Sequence, residues 1–119
     1  ANESELHALY ETADFDTALT ALRGEKDLLG VVTRSEKGCV VASAESVVAA
    51  PAFPVESVVD TTGAGDLFAA GFLAGYTQGL PHERSAALGA LAAAEIISHV
   101  GARPQKDLLQ LARDNGLVA

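Results

Sequence analysis

Residues 60–79 read DTTGAGDLFAAGFLAGYTQG. Gly63 and Gly65 flank Ala64, so a ligand can approach this backbone without meeting a Cβ atom. The apolar run behind them predicts a helix from about Ala64 to Gln78, ended by Gly79 and Pro81. The first N–H groups of such a helix have no intrahelical acceptor, and its dipole places about half a positive charge there. An anion such as a phosphoryl group in transfer suits that position. Asp66 falls in the first turn, where a carboxylate can take the proton of a substrate hydroxyl attacking that anion. Taken alone, Gly63 to Asp66 fit a tight turn followed by a dipole-favoured acid equally well.

Working outward, the segment before this helix reads as short strands. Leu28 to Thr33 is an apolar, β-branched run, and Cys39–Ala42 and Ser46–Ala50 form two more, with a polar stretch suited to a hairpin turn between them. Pro51 and Pro54 mark an irregular connection, and Val55 to Val59 leads into the glycine motif. Upstream, Asn2 or Ser4 can cap a helix running to about Thr12, with Leu6 and Leu9 on one face. Asp14 can start a second helix through Leu19 and Leu22, stopped by Gly24. Downstream, an Ala-rich helix is expected from about His82 to Ser98. Gly101 and Pro104 then break the chain before a last amphipathic helix carrying Leu108, Leu109 and Leu111. Small residues at Ala70, Gly71, Ala74 and Gly75 would let other elements approach the central helix closely. Strands first and packed helices after suit an α/β or α+β layer arrangement.

Composition narrows the function classes. A net charge of -8 argues against a nucleic-acid partner, since such domains are usually basic. Cys39 is the only cysteine, so no intrachain disulfide can form, and a reducing, cytoplasmic setting is expected. No apolar run approaches the roughly 20 residues that span a bilayer, so no membrane role is expected. The 119 residues contain no Met, and Ala1 leads directly into motif-like sequence. We therefore expect residues 1–119 to be one piece of a larger polypeptide. Cys39 reads as a small core residue, and His7 and His82 as solvated surface positions. Asn2 with Glu5 reads, on its own, as an exposed helix start.

The whole of DTTGAGDLFAAGFLAGYTQG closely resembles the second signature of the PfkB carbohydrate and nucleoside kinase family. Asn2-Glu3-Ser4-Glu5 is similar to that family's Asn-x-x-Glu motif. Thr33-Arg34-Ser35-Glu36-Lys37-Gly38 sits where the family has Thr-x-Gly-x-x-Gly, with Ser35 in place of the usual Gly. Ser98 to Pro104 resembles the family's loop after the long helix. The resemblance runs from Asn2 to about Leu111. It implies the C-terminal, nucleotide-binding and catalytic part of a ribokinase-like three-layer α/β fold. It also implies ATP- and Mg²⁺-dependent phosphorylation of a CH₂OH group.

Carried over by position, the resemblance makes Asp66 the base and the N–H groups of Gly63, Ala64 and Gly65 the anion hole. Asn2 and Glu5 would organise the Mg²⁺ and phosphate network. Thr33, Arg34, Ser35, Glu36, Lys37 and Gly38 would line the nucleotide. Ala90 stands where relatives often carry His or Asn beside the adenine. Asp60 and Thr62 would help to hold a monovalent cation such as K⁺, with backbone of Ile96, His99 and Gly101 as further ligands. The implied partners are a nucleoside or sugar substrate and the N-terminal part of the same kinase; a homodimer is compatible with this reading. The segments around Arg34 and Ile97 look closest to the adenosine kinase-like branch. Against this stand a ribokinase- or fructokinase-type sugar kinase, and a non-catalytic module that binds nucleotide or a partner subunit.

Overall fold

The computed structural model describes residues 1–55, 58–61, 63–98 and 107–118. Three short strands carry alternating, mostly apolar side chains: β1 (Gly30–Thr33), β2 (Cys39–Ala42) and β3 (Val47–Ala50). They form an antiparallel sheet in the order β1-β2-β3, with Val31 opposite Val41 and Val41 opposite Val48. β2 is central and buried on both faces, as a strand covered from two sides must be.

Side-chain alternation along β2 splits the core in two. Cys39 and Val41 point to one face, where they pack with Ala50, Phe68, Phe72, Ala86 and Ala90. Val40 and Ala42 point to the other, against Leu6, Ala18, Leu22 and Val32. The first face is covered by α3 (Ala64–Thr77) and α4 (His82–Ile97), the second by α1 (Glu3–Leu9) and α2 (Phe15–Arg23). The result is a helix–sheet–helix sandwich, as the layer pattern in the sequence implies. The last helix, α5 (Leu108–Asp114), lies against α4.

Local chemistry sets the element ends. Asn2 caps α1 through a reciprocal capping box: its Oδ1 accepts from Glu5 N–H at 2.8 Å, and Glu5 Oε1 accepts from Asn2 N–H at 2.9 Å. Asp14 caps α2, accepting from Thr17 N–H. Asp107 caps α5, accepting from Leu109 and Gln110 N–H. The α3–α4 pair approaches closely because glycines lie at the contact. A Cβ on Gly71 would sit 2.6 Å from Leu88 O, and one on Gly89 would sit 2.7 Å from Phe68 O.

Several sequence expectations shift. α1 ends at Leu9 rather than near Thr12, because Glu11 adopts φ 52 and turns the chain. With the helix so short, Leu6 is buried while Leu9 is 68% exposed. Gly24 closes α2 in a right-handed conformation, φ -75, so its freedom at positive φ is unused there. The strands begin later than expected, at Gly30 and Val47. Gly71 and Gly75 face α4, but Ala70 and Ala74 are exposed. His7 and His82 are half-buried rather than solvated. His7 meets the Phe15 ring edge-on with centroids 6.3 Å apart, and His82 lies 6.1 Å from the Tyr76 ring. Cys39 is a core residue as expected, 2% exposed, and burial pushes its thiol pKa up. Among the described residues no helix is long and apolar enough to cross a membrane.

Candidate active-site cleft

Gly63 adopts φ 81, a left-handed conformation that a Cβ disfavours, and it is the N-cap of α3. It supplies no capping side chain. The difference from α1, α2 and α5 is chemical: each of those starts is closed by an Asn or Asp oxygen, whereas the start of α3 is left to other acceptors. Ala64 N–H donates to Thr61 O at 3.2 Å, and Leu67 N–H donates to Gly63 O at 3.0 Å. Gly65 and Asp66 N–H lie between them, in the first turn, with no carbonyl one turn back inside the helix. A Cβ built on Gly65 meets nothing within 4 Å.

That open side of Gly65 faces a cleft of about 680 Å³. Besides α3 itself, its described walls come from three places in the chain: the turn after β1, residues Ala52 to Val55 with Val58 and Thr61, and one side of α4. Thr33, Ser35, Glu36 and Gly38 line it from the first, Phe53 and Val58 from the second, Ala90 and Ala94 from the third. The walls are largely apolar, with hydroxyls from Thr33, Ser35 and Thr61. No Lys or Arg is among the described lining residues. Among the described residues, the backbone N–H groups and the dipole at the start of α3 are the features suited to an anion.

The Thr33–Gly38 segment is a compact turn. Arg34 N–H donates to Gly38 O at 2.7 Å, Lys37 N–H to Arg34 O at 3.0 Å, and Gly38 N–H to Ser35 O at 3.1 Å. Gly38 has φ 90 and lies so close to Ala50 O that a Cβ would come within 2.0 Å. The Asn2 end of α1 reaches the same turn, since Thr33 N–H donates to Ala1 O at 2.9 Å and Asn2 bridges Thr33 in a parallel sense.

The structure thus brings Ala64, Gly65, Thr33, Ser35, Glu36, Gly38 and Ala90 around one cavity. Asn2 sits next to Thr33, and it and Glu5 are exposed and engaged in their capping box. Asp66 is exposed in the first turn of α3, one residue beyond Gly65. Lys37 is exposed and does not line the cleft. Arg34 turns away from it: its Nη2 lies 3.1 Å from Glu3 Oε1, and its guanidinium carbon lies 3.7 Å from the centroid of the Phe15 ring. That hydrogen bond lowers the Glu3 pKa.

Asp60 is half-buried beside the end of α4, where Asp60 N–H donates to Ile97 O at 3.2 Å and Val59 N–H to the same oxygen at 2.8 Å. A carboxylate near the negative end of a helix dipole favours a cation. Ile96 is fully buried in that last turn. Thr62, His99 and Gly101, expected in the same cation site, lie outside the described residues. Phe53 and Val58, as apolar walls of the cleft, were missed in the sequence. Their only signal was an apolar residue next to Pro54 and the glycine motif.

Fold and cleft define part of a ribokinase-like α/β fold, with the glycine-started helix beside a cavity. The model of the pfkB family carbohydrate kinases matches residues 1–108, and the chain belongs to that family. A probable sugar kinase from Rhizobium etli superposes with a TM-score of 0.94 at 43% identity, over 98% of this chain and 35% of its own. Adenosine kinase from Sinorhizobium meliloti gives 0.92 at 49%, over 96% and 35%. Cytidine kinase from Thermococcus kodakarensis is 41% identical over 102 residues, 84% of this chain and 36% of that enzyme. The chain thus spans about a third of the length of the relatives it matches.

Proposed function

We propose that this chain carries the nucleotide-binding and proton-abstracting part of an ATP-dependent phosphotransferase acting on a CH₂OH group, with adenosine as the favoured acceptor. One observation carries this reading: the start of α3 lacks a capping side chain and opens, through Gly65, onto a cleft walled by the Thr33–Gly38 turn. The apolar walls suit a purine, and the amides at the start of α3 suit its phosphates.

Phosphoryl transfer is mostly a matter of placing charges and reacting atoms, so the roles are few. Asp66 accepts the proton of the acceptor hydroxyl. The N–H groups of Gly65, with Gly63 and Ala64 beside it, hold the transferring group. The Ala64 N–H bond to Thr61 would lengthen or be shared for it to contribute. Thr33, Ser35, Glu36, Gly38 and Ala90 form the nucleotide walls. Mg²⁺ is usually held by one or two carboxylates and the phosphates themselves. Asn2 and Glu5, at the turn's edge, would orient it, and it would neutralise phosphate charge. Asp60, Thr62 and backbone near Ile96, His99 and Gly101 would hold a monovalent cation such as K⁺.

Support for adenosine comes from the 49% identity with the Sinorhizobium meliloti adenosine kinase; the Rhizobium etli probable sugar kinase keeps a sugar acceptor in view. The N-terminal part of the same kinase would complete the acceptor site. The test is a coupled ADP-release assay of the full-length kinase over adenosine, cytidine, ribose and fructose. Adenosine should give the highest kcat/KM. A higher value for ribose or fructose would move the assignment to a sugar kinase, and ADP release with none of the four would overturn it.

A further inference from the structure

Arg34 interrupts the wall of the cleft. Thr33 before it and Ser35, Glu36 and Gly38 after it all line the cavity, while its own side chain is directed to the opposite side of the turn. There it makes two contacts with two different helices. Its Nη2 is 3.1 Å from Glu3 Oε1 on α1, and its guanidinium carbon lies 3.7 Å from the centroid of the Phe15 ring at the start of α2. A flat, delocalised cation suits this double contact in a way a lysine ammonium does not. The turn that it anchors has a reason to need an anchor. Ser35 is held at φ 52, a conformation disfavoured for a residue with a Cβ, and Ser35 itself faces the cleft. Glu3 lies between Asn2 and Glu5, so the same ion pair also ties the turn to the capped start of α1.

We infer that Arg34 is a positioning residue: held by Glu3 and Phe15, it fixes the Ser35–Gly38 turn against the cleft and thereby sets nucleotide affinity without touching the nucleotide. This deepens the reading of the cleft as a nucleotide site and rests on it. Releasing the guanidinium frees Ser35 to leave φ 52, and the wall shifts. The acceptor and Asp66 lie elsewhere, so the chemical step is spared.

The experiment uses the full-length kinase with Arg34→Leu, Arg34→Lys and Phe15→Leu, measured for ATP binding by titration calorimetry and for steady-state kinetics. Loss of one part-buried ion pair and one cation–π contact should raise KM and Kd for ATP about five- to thirtyfold in Arg34→Leu. Arg34→Lys should fall between it and the parent, because the charge remains and the plane is lost. kcat at saturating ATP and KM for the acceptor should stay within about twofold, a split that general destabilisation would not produce. Phe15→Leu should weaken ATP binding less once Arg34 is already Leu, since the two act through one contact. Unchanged ATP affinity in both Arg34 variants overturns the inference, as does a fall in kcat with ATP affinity intact. If neither Arg34 variant folds, Arg34 is a fold determinant and the inference is likewise overturned. An unmutated kinase that binds no ATP would instead remove the nucleotide-site reading itself.

Discussion

Asp66 and Gly65 are neighbours with separable jobs, and substitutions can tell them apart. Asp66→Asn keeps the shape and the first-turn position but cannot accept a proton, so turnover of the full-length kinase should fall about 10²–10⁴-fold with ATP affinity retained. A variant keeping more than roughly a tenth of the parent kcat would remove Asp66 from the role of base. Gly65→Val tests the anion site. A Cβ there meets nothing within 4 Å, so the fold should tolerate it, while the branched side chain would stand where the phosphates approach. Nucleotide affinity should drop with little change in melting temperature; unchanged affinity and turnover would count against an anion hole at this helix start. These roles could be proposed from the sequence because residues 60–66 compress a turn, a helix start and an acid into seven positions. The orientation of Arg34 was not, since nothing local to residues 33–38 signals that Glu3 and Phe15 will lie beside it.

At the level of elements, the helix pair that holds the cleft depends on absent side chains. Gly71 packs its Cα face against the backbone of α4, with Leu88 O and Gly89 Cα at 2.6 and 2.8 Å from a would-be Cβ. Both neighbours are backbone and cannot swing away, so Gly71→Val should cost about 3 kcal/mol or more, at or beyond the usual overpacking range. A chemical-denaturation midpoint unchanged from the parent would show that α3 and α4 are not packed this tightly. The start of α2 gives a pH-dependent counterpart. Thr17, through its hydroxyl and its backbone N–H, lowers the Asp14 pKa, and Arg34 does the same for Glu3. A carboxylate with a depressed native pKa adds stability that is present above its unfolded pKa and is lost as pH falls through the native one. Asp14→Ala should therefore lower the melting temperature at neutral pH, with the difference from the parent shrinking below the ordinary carboxylate range. A difference that stays constant into acid would contradict the capping role. The order of strands before helices and the caps at Asn2 and Asp14 made the layers readable in advance, whereas Leu9 was misplaced because only Glu11's positive φ ends α1 early.

Across the whole molecule, the surface around the cleft is unfinished as a catalytic enclosure. Asp66 is exposed, and the outward side of α3 presents Leu73 and Tyr76 at 54% and 46% exposure, with Val58 and Val59 also open. Apolar side chains collected in this way mark a surface suited to association. The chain covers about a third of its relatives' length, so the N-terminal part of the kinase is the expected cover. Residues 1–119 alone should then bind nucleotide weakly and fail to phosphorylate adenosine. The physical reason is positioning. Well-oriented reacting groups gain effective molarities of about 10⁵–10⁸ M, and a base with no held acceptor forgoes that gain. Water also has free access to an exposed Asp66, so charge at the transferring group is screened rather than concentrated. The assay is purified residues 1–119 with ATP, Mg²⁺ and adenosine, run beside the full-length kinase and beside a mixture of 1–119 with the separately expressed N-terminal part. Activity should appear in the second and, in part, in the third. Turnover by residues 1–119 within the roughly 1–100 s⁻¹ usual for kinases would mean that this chain, alone or paired with a second copy, builds its own acceptor pocket over α3.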